Sequence, residues 1–113
     1  MTRRKVLWAK SARRDLESIV AWLAERSPQA ALSTLDRLEA RAKSLVTLAD
    51  RGRIVPELGR LQIQQYRELV VPPHRLIYRI RASSVLVLAV IDARRSLEDA
   101  LLDRLIWVEG QEQ

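Results

Sequence analysis

Cysteine is absent from this sequence, glycine occurs only three times and histidine only once. Without cysteine the chain forms no disulfide and offers no thiolate to a metal. One histidine with scattered carboxylates is a poor ligand set for zinc or calcium. Three glycines are too few for a phosphate-cradling loop or a dinucleotide fingerprint. We therefore expect a protein that needs no cofactor, and the lack of cysteine fits a reducing cytoplasm.

Aromatic residues and long apolar runs are also scarce. Aromatics make up 4% of the chain, too few for the stacking platforms of single-strand nucleic-acid binders. We interpret Trp8, Trp22 and Trp107 as core or interface anchors. The longest apolar run, Val85 to Ile91, is far shorter than the ~20 residues of a membrane span, and the basic N-terminus lacks the apolar stretch of a signal peptide. These patterns predict a soluble, cytoplasmic protein.

Arginine is the residue that the chain has in excess. The 113 residues carry 20 Lys and Arg against 14 Asp and Glu, a formal net charge of +6. Residues 51–95 are strongly basic, whereas residues 96–113 are acidic. Guanidinium suits carboxylate and phosphate partners because its planar fork donates two parallel hydrogen bonds. The excess is explained either by a solvated surface or by a cationic face for nucleic acid or an acidic protein segment.

The hydrophobic pattern predicts an α+β protein with a helical hairpin. Arg4 to Ala9 is typical of a short strand, and a helix is predicted to begin near Ser11 as its N-cap. Ser27-Pro28 predicts the start of a second helix, which continues with apolar residues to Ala49 and ends before Gly52. The two helices present facing apolar stripes.

The second half of the sequence predicts strands. Tyr66 to Val71, His74 to Arg81 and Val85 to Ile91 have strand patterns, and the last is apolar on both faces, as in a central strand. A final helix is predicted over 96–108, capped at Ser96. We expect one domain over 1–113, with a core at 4–95 and the hairpin packed on an antiparallel sheet of about four strands.

Few residues are candidates for chemistry. His74 follows two prolines at a strand start, which favours a structural histidine, and Glu57 and Glu68 lie among arginines, which favours salt bridges over acid–base catalysis. The arginines remain as the stronger candidates. If the strands pair in order, Arg67, Arg75, Arg79 and Arg94 or Arg95 converge at one side or end of the sheet.

Several segments, taken in order, resemble those of a known family. They are Trp8-Ala9 with Ser11–Leu16, Pro56–Gly59, Tyr66–Val71, Pro73–Ile80 and Val87–Arg95. No single segment is specific, but their order and spacing over roughly residues 5–95 resemble the ParE/RelE superfamily of toxins from type II toxin–antitoxin systems. The ending Asp92-Ala93-Arg94-Arg95 is closer to ParE, although Asp92 stands where a histidine is common.

The resemblance implies a growth-inhibiting toxin that a cognate antitoxin neutralises. ParE-like members bind and inhibit DNA gyrase, whereas RelE-like members are endoribonucleases that cleave mRNA on the ribosome with clusters of Lys, Arg, Tyr, Glu or His. This sequence has no lysine after Lys43, which favours the non-enzymatic ParE-like activity and leaves the RelE-like one as the alternative. A homodimer or a toxin–antitoxin heterotetramer is the implied assembly. The target-binding candidates are Arg60, Arg67, Arg75, Arg79, Arg94 and Arg95.

Overall fold

The structure, a computed structural model, describes residues 2–93 and packs two helices on one face of a five-stranded mixed sheet. The strand order is β1-β5-β4-β3-β2. The elements are β1 (Lys5–Trp8), α1 (Lys10–Ala24), α2 (Pro28–Lys43), β2 (Arg53–Ile54), α3 (Pro56–Gly59), β3 (Tyr66–Val71), β4 (His74–Ile80) and β5 (Ser84–Asp92). Short 3₁₀ turns follow α2 at Ser44–Val46 and Ala49–Arg51.

The helical hairpin forms as the sequence predicts, but its first cap is different. Ser27 caps α2, accepting a hydrogen bond from the Ala30 amide at 3.2 Å, and Pro28 occupies the first turn. The predicted cap at Ser11 is wrong, because α1 begins at Lys10 after Ala9. Ser11 is buried and donates its hydroxyl to the Leu88 carbonyl at 3.0 Å.

The second helix ends earlier than its apolar pattern predicts. The α-helical part stops at Lys43, and the chain tightens into the two 3₁₀ turns before Gly52. Leu45 and Ala49 nevertheless remain buried in the core. The apolar spacing therefore identified which residues are buried but not where the helical geometry changes.

Strands β3 and β4 form the antiparallel hairpin that the sequence predicts. Val71 pairs with His74 across a two-residue turn, and the Pro72–Pro73 peptide bond in this turn is cis. β5 then pairs antiparallel with β4 and lies inside the sheet, with residues 84–91 buried. The prediction of a central strand covered on both faces is confirmed.

The prediction of about four antiparallel strands is wrong in two respects. β1 runs parallel to β5, pairing Lys5 with Ser84 through Trp8 with Val87, and the two-residue strand β2 adds a fifth member. The directions of β3, β4 and β5 follow from tight turns between consecutive strands. No turn links β1 to β5, since the whole hairpin and the other strands lie between them in sequence, so their direction depends on tertiary packing.

A bulge in β5 sets which of its side chains meet the helices. Ile77 pairs with Ala89 and Tyr78 pairs with Val87, so Leu88 is the extra residue. Val85, Val87 and Val90 join the core beneath the helices, whereas Leu88 and Ala89 both join the core on the opposite face. An extra residue shifts the alternation by one position, which is how two consecutive residues reach the same face.

The sheet consequently has two buried faces. The helix face carries Leu69, Leu76 and Tyr78 against α1 and α2, and the second face carries Tyr66 and Ile77 near Val55 and Leu58 of the α3 region. Each fully buried apolar side chain of this size stabilises the fold by about 1.5–3 kcal/mol. The helix predicted over 96–108 lies outside the described residues. In the described part, no helix is long and apolar enough to cross a membrane.

Candidate functional site

The arginines that the sequence singles out lie on different faces of the sheet. Arg67 alternates with Leu69 and therefore lies on the helix face, whereas Arg75 and Arg79 alternate with Ile77 on the second face. Arg60 follows α3 and lies close enough to Glu57 to lower its pKa. The expected convergence of Arg67, Arg75 and Arg79 is therefore partial, because Arg75 and Arg79 share the second face and Arg67 lies on the other.

Arg75 is the centre of an ion-pair network on this second face. Its two terminal nitrogens donate to the two carboxylate oxygens of Glu57 at 3.0 and 2.9 Å. Its Nε donates to Glu68 Oε1 at 2.7 Å, while Arg53 donates its Nε to Glu68 Oε2 at 2.7 Å. This arrangement joins α3, β2, β3 and β4, so we call Arg53, Glu57, Glu68 and Arg75 the ion-pair cluster.

Within the ion-pair cluster, hydrogen bonding favours the charged forms of Glu57 and Arg75. The hydrogen bonds from Arg75 lower the pKa of Glu57 despite its partial burial. The same bonds to Glu57, and then those to Glu68, raise the pKa of Arg75. The expectation that both glutamates are salt-bridge partners is confirmed. A carboxylate kept ionised in this way is a weak base at neutral pH, because its proton affinity is low.

The geometry does not favour Arg75 as a target-binding residue. The side chain is buried, and its guanidinium is occupied by Glu57 and Glu68. Both carboxylate oxygens of Glu68 are likewise engaged, one by Arg53 and the other by Arg75. The alternation of the strand predicted that Arg75 lies on a sheet face, but it did not indicate that Glu57 and Glu68 would bind its guanidinium.

Arg60 and Arg79 are the better placed of the second-face arginines. Arg60 is exposed, and Arg79 is half-buried one alternate position beyond Ile77, with Tyr66 as its partner in register. Arg75 and Arg79 are four positions apart along β4, which puts their Cα atoms about 13 Å from each other. Arg94 and Arg95, the remaining candidates, lie outside the described residues.

His74 lies on the helix face, opposite the ion-pair cluster. It is buried, pairs in register with Asp92, and its Nδ1 has no hydrogen-bond partner among residues 2–93. Burial lowers the pKa of His74, and Arg37 lowers it further, while Asp92 acts in the opposite direction. The sheet separates this imidazole from Arg75 and Arg79, so it is poorly placed to exchange a proton with a group bound there.

A buried tyrosine and a glycine form a contact that the sequence analysis missed. The Tyr78 hydroxyl donates to the Ala49 carbonyl at 2.6 Å and accepts from the Gly52 amide at 3.0 Å. Burial raises the pKa of Tyr78, so the hydroxyl stays protonated. A Cβ at position 52 would lie 2.5 Å from this hydroxyl and 2.6 Å from the Glu68 carbonyl oxygen. Gly52 directly follows the second 3₁₀ turn with a φ of −80°, so glycine is required here by close packing and not by a left-handed backbone.

Two polar residues of α1 hold the bulged part of β5, and these were also missed. Ser11 donates to the Leu88 carbonyl, and Asp15 accepts a hydrogen bond from the Val90 amide at 3.0 Å. β1 pairs with β5 only as far as Val87, so it leaves the Leu88 carbonyl and the Val90 amide without a strand partner. The two side chains satisfy these backbone groups. Their four-residue spacing puts both on one side of the helix, and that spacing is the only signal of their role in the sequence.

The described residues offer no site for a resident metal ion. In the part of the chain from 2 to 93, no group of three or more histidine or acidic side chains is arranged to hold one. Glu57 and Glu68 face each other across Arg75, whose positive charge occupies the space that a cation would need.

Comparison with known proteins gives consistent matches. The family described as "ParE toxin of type II toxin-antitoxin system, parDE" matches residues 6–97. Toxin RelE3 of Caulobacter vibrioides is 35% identical over 91 residues, covering 77% of this chain and 88% of the relative.

Two solved structures share the fold. The chromosomal ParDE system of P. aeruginosa matches with a TM-score of 0.66 at 19% identity, covering 80% of this chain and 96% of the other. The RelBE2 toxin–antitoxin complex of Mycobacterium tuberculosis matches with a TM-score of 0.56 at 22% identity, covering 81% and 93%.

Proposed function

Since this chain belongs to the ParE family of toxins from type II toxin–antitoxin systems, we propose that it inhibits DNA gyrase by binding and is neutralised by a cognate antitoxin. The observation that carries the choice of binding over catalysis is the ion-pair cluster. Both carboxylates near the second-face arginines are engaged by Arg53 and Arg75. A toxin that acts by binding needs no proton donor or acceptor at this face.

Cleavage of RNA has requirements that the described side chains meet poorly. A base must take the proton of the 2′-hydroxyl and an acid must protonate the leaving oxygen. Glu57 has a lowered pKa, and arginine stays protonated at any physiological pH. Of the other titratable side chains in residues 2–93, His74 and Tyr78 are buried on the opposite face, and Tyr66 is buried in the core of the second face.

The RelE-like activity is the second candidate, and the relative named Toxin RelE3 favours it. In that case the toxin would act as an endoribonuclease on ribosome-bound mRNA. Arg60 and Arg79 on the second face would then stabilise charge on the phosphate. The two candidates differ in a direct observable, because one stops DNA supercoiling and the other cuts mRNA.

The proposed binding surface consists of Arg60 and Arg79, together with Arg94 and Arg95. The test measures supercoiling by purified gyrase as the toxin is titrated in, and maps mRNA ends by primer extension after induction. We expect supercoiling to fall and no new codon-specific ends to form. Arg60→Gln with Arg79→Gln should weaken the inhibition at least tenfold. Arg13→Gln with Arg14→Gln, which removes the same charge from the exposed side of α1, should not.

The neutralising partner is tested separately. A short reading frame beside the gene should encode a protein that co-purifies with this chain and restores supercoiling. β1 forms one edge of the sheet and offers backbone groups to such a partner.

Ribosome-dependent cuts in mRNA that are lost in the Arg60→Gln, Arg79→Gln variant would assign the chain to the RelE-like activity instead.

A further inference from the structure

A second group of arginines lies on the side of the molecule where α2 faces β3. Its members are Arg37, Arg41, Arg51 and Arg67, which we call the arginine row. Arg37 and Arg41 are one helical turn apart, so they project from the same side of α2 with a spacing of about 6 Å along its axis. The row belongs to the helix face and is separate from the ion-pair cluster on the second face.

Hydrogen bonds fix the row along the length of β3. At one end, Arg37 donates to the Pro72 carbonyl at 3.1 Å, directly after the last residue of β3. At the other end, Arg67 donates to the Gly52 carbonyl at 2.7 Å from the start of the strand. Six residues of β3 lie between these ends, about 17–20 Å of extended chain.

Arg51 connects the α2 part of the row to Arg67. Its Nη1 donates to Ser44 Oγ at 2.9 Å, and the Ser44 hydroxyl donates to the Arg41 carbonyl at 2.6 Å. Arg51 directly precedes Gly52, whose carbonyl accepts the hydrogen bond from Arg67, so Arg51 and Arg67 lie at the same end of the sheet. The row therefore continues from Arg37 and Arg41 on α2 to Arg51 and Arg67 beyond the end of this helix.

The charge of the row is not compensated by protein carboxylates. Within residues 2–93, none of the four arginines forms an ion pair, and the hydrogen bonds that they donate go to neutral oxygens. Arg41 is the clearest case, because it is half-buried and its enclosed Nε has no acceptor in this part of the chain. The terminal nitrogens of Arg41 are not enclosed, so an external anion can bind them without competing with a protein carboxylate.

Acidic residues near the row are few and turned away. On α2, Asp36 and Glu39 are rotated by roughly 100–200° from Arg37 and Arg41, at 3.6 residues per turn. Asp50 is the exception, since it neighbours Arg51 and also acts on the Tyr78 hydroxyl. In the ion-pair cluster, by contrast, two arginines face two glutamates.

We propose that the arginine row binds the phosphodiester backbone of a nucleic acid. Neighbouring guanidiniums at steps of about 6 Å can each reach a separate phosphate of one strand, and each offers a bidentate fork. The other side chains on this flank of α2 are small, namely Ala30, Ser33 and Ser44, which lets a backbone approach closely. A protein interface would need an apolar or aromatic anchor. The described flank of α2 carries none, and Leu48, an exposed apolar side chain, lies beside Arg51 at one end of the row.

This inference goes beyond the proposed function and does not depend on the target. The row lies on the helix face, whereas Arg60 and Arg79, the described residues of the surface proposed for the target, lie on the second face. A chain that failed to inhibit gyrase would still bind nucleic acid through the row. Conversely, a chain that failed to bind nucleic acid could still bind its target through Arg60 and Arg79.

The test measures the affinity of the full-length chain for fluorescein-labelled DNA duplex and single-stranded RNA of arbitrary sequence, by anisotropy over a salt series. Arg37→Gln with Arg51→Gln removes the two exposed members of the row. We expect the slope of log K against log salt for duplex DNA to fall by about 0.9 for each phosphate that the variant no longer neutralises. Arg13→Gln with Arg14→Gln is the matched control, with the same change in charge, and should leave the slope within about 0.3 of wild type, less than half of the effect of one phosphate.

The remaining outcomes are also decisive. An equal fall in slope for both variants means that net charge alone drives binding, which overturns the proposal. Binding of a polyglutamate probe that depends on Arg37 and Arg51, with duplex and RNA binding unaffected, overturns it in favour of an acidic protein segment. A slope that falls only with duplex, only with RNA, or with both supports the proposal and identifies the source of the phosphates.

Discussion

Arg75 and Glu57 form a bidentate ion pair that links the middle of the sheet to α3, with N–O distances of 2.9 and 3.0 Å. The pair explains why a charged residue is buried in the second strand of the hairpin. It also changes the interpretation of any arginine-to-alanine experiment on this protein, since loss of Arg75 affects the fold before it affects a target.

We predict that Arg75→Met destabilises the protein far more than Arg53→Met. Removing Arg75 takes one of two ionic partners from the completely buried Glu68 and leaves only the largely exposed Arg53, and breaking a buried ion pair costs up to about 3–5 kcal/mol. The Arg53 side chain is 62% exposed, so its ion pair contributes about 0–1 kcal/mol. Urea unfolding of the two variants measures the difference. Equal losses of stability would show that the two arginines hold Glu68 equally.

The stability of the fold should depend on the protonation of His74. Burial lowers the pKa of His74 in the folded state, so the unfolded chain takes up a proton at a higher pH than the folded chain does. The contribution of the neutral imidazole is therefore complete above about pH 6.5 and declines as the pH falls toward the folded value. Urea unfolding between pH 8 and pH 5, compared with His74→Gln, isolates this effect.

The free energies of unfolding of wild type and His74→Gln should diverge only at acidic pH. Wild type is expected to lose stability relative to His74→Gln as the pH falls below about 6.5, and the difference between them should be constant above that value. Asp92 and Arg37 both act on His74, with opposite signs. A wild type that gains stability relative to the variant in acid would mean that Asp92 dominates and that the folded pKa is raised.

Replacement of Gly52 by alanine should destabilise the protein by about 1–3 kcal/mol through overpacking. The added methyl group would lie 2.5 Å from the Tyr78 hydroxyl and 2.6 Å from the Glu68 carbonyl oxygen. Tyr78→Phe removes the hydroxyl, although the ring carbon Cε1 remains 2.9 Å from the added methyl group, so the combined loss of stability should be smaller than the sum of the single losses.

Gly59 provides the control for this substitution. A Cβ at position 59 would meet Ile54 Cγ2 at 3.5 Å, which is an ordinary contact. Gly59→Ala should therefore leave the stability unchanged or raise it slightly, by restricting the unfolded chain. Thermal unfolding of both glycine variants compares them directly, and a Gly52→Ala protein as stable as wild type would refute the packing role.

The sequence alone determined the parts of this protein that depend on local patterns. Helical spacing and the Ser27-Pro28 signal located the hairpin, alternation located β3 and β4, and the run from Val85 to Ile91 located the central strand. These features follow from neighbours a few residues apart, which is the range over which periodicity and turn chemistry act. The family resemblance rested on the same segments and was confirmed by the match over residues 6–97.

Tertiary structure alone decided the features that join distant residues. β1 pairs with β5, and Asp15 bonds the Val90 amide, across separations of about 75 residues. The bulge at Leu88 is a one-residue change of register that no local pattern indicates. The charges were decided in the same way. The number of arginines can be read from the sequence, but their partners cannot, because an ion pair depends on distances of a few ångströms across separate elements. Packing places Arg75 against two carboxylates and leaves the enclosed Nε of Arg41 without an acceptor among residues 2–93.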